Sequence, residues 1–117
     1  MAIGPALLLI AAAAAAASNP DLGCSGPDNW AASSAYAQLK NAGFVTPESV
    51  DFPKIHVALL AQQKIGKDLY RQIHEITFPL KSGTVVRAVT TSNASSDECS
   101  MSSVKIRVIG PVLGDYP

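Results

Sequence analysis

Few side chains in these 117 residues have the types and spacing for chemistry. There are two cysteines, Cys24 and Cys99, and two histidines, His56 and His74. A cysteine with a histidine base would make a nucleophilic thiol, but neither cysteine sits in a recognisable signature for one. Two Cys and two His with no C-x-x-C or H-x-x-x-H spacing do not describe a zinc site. The segment Gly23-Cys24-Ser25-Gly26 has the look of a nucleophile turn. No strand precedes it, so Ser25 reads as a loop residue. No G-x-S-x-G, phosphate-cradling glycine loop or H-E-x-x-H occurs. Asp97-Glu98 is an acidic pair, while calcium needs six to eight oxygens. Asn93-Ala94-Ser95 matches an N-glycosylation acceptor. The expectation is a protein that is not an enzyme, with no catalytic residues, no metal and no cofactor.

The chemistry that remains is a covalent staple and a binding surface. In an oxidising compartment Cys24 and Cys99 would pair, closing a loop that chain entropy values at roughly 4 kcal/mol. The densest run of interaction-capable side chains surrounds residues 62–71. Gln62, Gln63, Lys64, Lys67, Tyr70 and Arg71 combine amides, cations and an aromatic ring, and are the candidate partner-binding residues. Their bland alternative is a solvated hairpin end.

These residues must be positioned by a body of ordinary composition. The first 17 residues carry no charge and 15 of them are hydrophobic, whereas residues 18–117 hold all nine Lys/Arg and all nine Asp/Glu. Leu7-Leu8-Leu9-Ile10 followed by seven alanines reads as a secretory signal peptide over 1–17, with Ala15-Ala16-Ala17 as an A-x-A-type cleavage site. The segment is short and weakly apolar for a membrane span. The membrane is therefore expected as a partner only through this transient segment, and the protein is expected in the periplasm or secreted. A net charge of zero lacks the footprint of a nucleic-acid binder. The expected partner is an unidentified protein or small ligand outside the inner membrane.

Residues 18–29 are rich in Pro, Gly, Ser, Asn and Asp and predict a loop. Residues 30–113 predict a single α+β domain, and 114–117 a tail. Asp28 or Asn29 can cap a helix starting at Trp30, with Ala32, Ala35, Tyr36, Leu39 and Ala42 on one face and Gly43 past its end. Four β-like runs follow, over 54–65, 69–80, 84–91 and 104–109. In the first, Ile55, Val57, Leu59 and Ala61 alternate to one face, and Lys54, His56 and Gln62 to the other. The second slips between Ile73 and Ile76, which predicts a bulge there or burial on both faces. In the fourth, Val104, Ile106 and Val108 face in, and Lys105 and Arg107 face out.

Residues 66–68 and 81–83 predict hairpins. Folding the first hairpin places His56 opposite residue 77 and His74 opposite residue 59, so the histidines are not partners. The polar link over 92–103 carries Cys99, and the chain from Gly110 is expected to fray. The links leave no room for crossover helices, so the fold class is α+β: one N-terminal helix packed on a four-stranded antiparallel sheet.

Two resemblances attach to these residues. Gly66-Lys67-Asp68-Leu69-Tyr70-Arg71-Gln72, with Thr77-Phe78, Gly83 and Ser96-Asp97-Glu98-Cys99-Ser100, resembles a group of short exported bacterial proteins. No activity is assigned to that group, so the resemblance implies none. The order of one helix and four antiparallel strands is similar to the cystatins, which use a Q-x-V-x-G hairpin. Gln62-Gln63-Lys64-Ile65-Gly66 echoes it, with Lys64 where Val belongs. Gly23 or Gly26 loosely matches the family's N-terminal glycine, and the Pro-Trp of its second hairpin is absent. That resemblance implies, as the alternative reading, a protease inhibitor acting through the 62–70 hairpin. A small hydrolase or thiol enzyme is the third.

Overall fold

A computed structural model describes residues 19–111, so the expected signal peptide over 1–17 and tail over 114–117 lie outside the described residues. One helix, α1 (Trp30–Asn41), precedes four strands: β1 (His56–Gly66), β2 (Leu69–Pro79), β3 (Val85–Ala94) and β4 (Lys105–Pro111). The strands pair antiparallel in the order β1-β2-β3-β4, which is the predicted α+β architecture.

Helix α1 buries Ala31, Ala32, Ala35 and Leu39. Its small side chains bring the backbone close to the sheet, where Ile76, Phe78 and Val86 complete a core with Val45 and Val50. Full burial of Leu39, Ile76 or Phe78 contributes about 1.5–3 kcal/mol each. The helix ends where Gly43 takes a positive φ of 85°. Gly43 N–H donates to the Lys40 carbonyl and Phe44 N–H to that of Leu39, a Schellman pair. Asn29 occupies the N-cap position but its side chain makes no capping bond. Its amide instead donates to the Gly23 carbonyl at 2.8 Å, fastening the preceding loop.

The sheet corrects three expectations. The irregularity assigned to the second run lies in the first: β1 skips a register position between Leu59 and Ala61. The bulged Leu60 reverses the alternation beyond it, so Ala61 leaves the helix-side face and Gln62 enters it. Strand β2 pairs with β3 without a break from Tyr70 to Pro79; its apparent slip arises because Gln72 and His74 hold helix-side positions. Strand β3 runs on to Ala94, three residues past the expected end at Thr91. Its polar Thr90 and Ser92 are buried on the helix-side face, paired with His74 and Gln72. At the other end, the backbones of Gly110 and Pro111 pair with Arg87 and Val86, so β4 runs two residues past its expected end at Ile109; the rest of the tail expected to fray lies outside the described residues.

Both predicted hairpins form. Asp68, with φ 49°, turns the first, and Gly83, with φ 97°, turns the second. His56 pairs with Thr77 and Leu59 with His74, as the folded-hairpin arithmetic predicts.

Candidate functional site

The disulfide joins Cys24 to Cys99, 75 residues apart, with Cα atoms at 5.5 Å. It belongs to an oxidising, non-cytoplasmic environment. It also removes both thiols from nucleophilic chemistry, since no free cysteine remains.

The bridge presses residues 19–29 onto the polar half of the helix-side face. There Gln62 Nε2 donates to the Pro20 carbonyl at 2.8 Å, and Gln72 Nε2 donates to Gln62 Oε1 at 2.7 Å. Ser25 Oγ and His74 Nε2 share a hydrogen bond of 2.9 Å. His74 is wholly buried, and that burial holds its pKa below the usual 6.5, so the ring is neutral at neutral pH. Opposite it, Thr90 is equally buried. His74 Nδ1 and Thr90 Oγ1 make no hydrogen bond among the described residues.

Ser25 thus has a histidine partner that its loop sequence did not reveal; only the 49-residue return of the chain brings the two together. Ser25 also lines an open cleft of about 540 Å³ with Asn19, Pro20, Asp21, Leu59 and Leu60. A serine beside a neutral imidazole is the start of a nucleophilic dyad. Here no carboxylate bonds to Nδ1 to orient the ring. The bond ties the N-terminal segment to β2.

The six candidate binding residues are divided by the strand register. Gln62, Lys64 and Tyr70 point to the helix side, Gln63 and Arg71 stand opposite each other on the other face, and Lys67 lies in the turn. Gln62 is already occupied by Pro20 and Gln72. The tip itself is tied: Asp68 Oδ2 accepts from Ser96 Oγ at 2.6 Å and Oδ1 from Ser96 N–H at 3.0 Å. Those bonds, side chain first and backbone second, lower the Asp68 pKa below its usual 3.8. Trp30 Nε1 donates to the Ser102 carbonyl at 2.9 Å, fixing the same loop to the start of α1.

The open face holds a different population. The register places His56, Gln63, Arg71, Ile73, Glu75, Thr77, Arg87, Val89, Thr91, Asn93, Lys105 and Arg107 there, and none of them is buried. Helix α1 packs on the opposite side. Arg71, Arg87 and Arg107 are all the arginines of the chain. With Lys105 they face a single acid, Glu75. Among the described residues the one ion pair is Lys54–Asp51 at 3.5 Å, so these four cations are unpaired. Arg87 Nε is buried without a hydrogen bond. A chain of zero net charge therefore carries a locally cationic surface. The outward Lys105 and Arg107 were visible in the strand alternation. Their meeting with Arg71 and Arg87 needed the register of three strand pairs.

Among the described residues, no group of three or more His, Cys, Asp or Glu could hold a metal ion, and no helix is long and apolar enough to cross a membrane. Comparison of the chain with protein-family models, curated proteins and solved structures finds no match.

Proposed function

We propose that this is an exported, non-enzymatic binding protein, periplasmic or secreted, whose contact surface is the open sheet face and whose partner is anionic. One observation carries the reading: all three arginines and Lys105 share one face on which, among the described residues, there is a single acid and none of the four is ion-paired. Unpaired guanidinium groups suit carboxylate, sulfate or phosphate, which they bind in bidentate fashion. Two of the sequence candidates, Gln63 and Arg71, belong to this surface. Retention of the full chain on sparsely substituted carboxymethyl-dextran beads, but not on neutral dextran, is the expected result, and salt should release it. Equal behaviour on both matrices at low salt would overturn the reading. Labelling of Ser25 by a fluorophosphonate would contradict its non-enzymatic part.

A second reading has its own observation. The first hairpin tip, the β3–β4 loop and the N-terminal segment are joined at one end by Asp68–Ser96 and Cys24–Cys99. Three rigidly linked loops would suit a cystatin-like inhibitor acting through the 62–70 hairpin. Titration of papain-like proteases tests it. Absence of inhibition at micromolar protein removes it.

A further inference from the structure

We infer that the ligand of the open face is a sparsely charged acidic polysaccharide, and that Glu75 selects it against densely charged polyanions. This rests on the anionic-partner reading above and names the partner.

The arrangement of charge comes first. Arg107 pairs with Val89 and Lys105 with Thr91, so these two cations stand two residues apart on β4. Arg87 is one strand over and one row along. Arg71 pairs with Asn93, on the far side of the Thr91 row. With strands about 4.8 Å apart and about 6.8 Å between alternate residues, the cations line a track roughly 20 Å long that runs along β3, with Arg107 and Lys105 on its β4 side and Arg71 at its end. A track of that length suits a chain molecule better than a single small anion.

Glu75 flanks the track from the β2 side, two strands across from Arg107. It pairs with Ala58 on one side and Val89 on the other, and Val89 in turn pairs with Arg107. A chain with a phosphate or sulfate at every residue would place negative charge against this carboxylate. A chain with a carboxylate on alternate sugars can set a hydroxyl there instead, and Glu75 then accepts its hydrogen bond. The neutral residues of the face fit the same ligand. Thr77, Thr91, Gln63 and Asn93 supply hydroxyls and amides to a hydroxyl-rich chain. Among the described residues no Phe, Tyr or Trp is on this face, so the stacking platform of single-strand nucleic-acid binders is not formed by them. A sheet face also offers no helix or two-stranded ribbon to enter a duplex groove.

The test measures binding of the full chain to hyaluronan, to a thymidylate oligonucleotide, to heparin and to phosphatidylglycerol vesicles, by calorimetry at fixed salt. The inference predicts preference for hyaluronan. The triple variant Arg71→Gln, Arg87→Gln, Arg107→Gln should lose about tenfold or more in affinity and most of the salt dependence. Lys40→Gln, Lys54→Gln, Lys81→Gln removes equal charge away from the face and should change affinity less than about twofold. Circular dichroism and urea midpoints establish that both variants fold. Glu75→Gln should strengthen heparin and oligonucleotide binding several-fold while leaving hyaluronan unchanged or weakened. Tighter binding to the oligonucleotide, heparin or vesicles than to hyaluronan in the wild type would overturn the polysaccharide inference and leave the anionic reading standing. Equal losses in the two triple variants would overturn the assignment to this face. Binding to none of the four would overturn both readings.

Discussion

The helix-side face of the sheet is built in two halves that are held by different forces. Under α1 lie Ile76, Phe78, Val86 and Ala88, and the helix replies with alanines and Leu39. Residues 19–29 reach Gln62 and His74 on the other half, where Gln72, His74, Thr90 and Ser92 are buried to the same degree. The first half needs only exclusion of water. In the second, each buried polar group must find a partner or cost stability. The segment that reaches it is a loop with little apolar surface, so its attachment falls to the disulfide and to the hydrogen bonds of the Pro20 carbonyl with Gln62 and of Ser25 with His74. Covalent cross-linking thus substitutes for a hydrophobic core where the sheet is polar.

Substitutions on either side should separate the two modes. Phe78→Ala, in the centre of the apolar half, should cost about 3–5 kcal/mol in urea unfolding and destabilise the whole molecule. The paired variant Cys24→Ser, Cys99→Ser should cost about 2–4 kcal/mol. Its effect should be uneven: hydrogen exchange should quicken first at residues 19–29 and at 95–103, while amides of β2 beside Phe78 stay protected until global unfolding. Uniform acceleration across the sheet would show that the halves are a single cooperative unit and remove the distinction.

Acid should act on the polar half through His74. Burial lowers its folded pKa below 6.5. Above about pH 6.5 the ring is neutral in both states and its contribution to stability is complete. As pH falls below that value the unfolded chain takes up the proton first, so stability declines until the folded pKa is passed. The urea midpoint of the wild type should therefore drop between about pH 7.5 and 5, and the His74→Gln variant should show a shallower drop. An equally steep decline in the variant would remove His74 as the cause.

How far these halves were legible in the sequence follows from the same physics. The apolar half was readable because its periods are regular: Ala32, Ala35 and Leu39 at helical spacing, Val104, Ile106 and Val108 at strand spacing. The staple was readable because only two cysteines exist. The polar half is not legible in this way. Gln72, His74, Thr90 and Ser92 face inward by register, yet composition assigns such residues to solvent. The Leu60 bulge hid for a similar reason, since leucine fits either face and only the pairing shows which way it points. The Ser25–His74 contact and the gathering of arginines depend on positions 49 and 36 residues apart along the chain (74 − 25 and 107 − 71), and no local pattern encodes them. The fold was therefore legible from periodicity, and the candidate site only after the strands were aligned.

The smallest effect gives the finest test of the comparison. Ser25→Ala removes the partner of His74 Nε2 but leaves the disulfide and the Pro20–Gln62–Gln72 chain intact. A neutral hydrogen bond of this kind contributes about 1 kcal/mol net, and its loss leaves a buried imidazole nitrogen without a partner. The global urea midpoint should shift by that modest amount. Local exchange at residues 22–26 should quicken more than the midpoint suggests, because the disulfide still limits how far the segment can leave the sheet. In the reduced protein the same substitution should release the segment altogether. The two effects would then exceed their sum, since the bond and the bridge hold one element. Simple additivity would mean that Ser25 and the disulfide act independently, and that His74 is held by its own strand rather than by the loop above it.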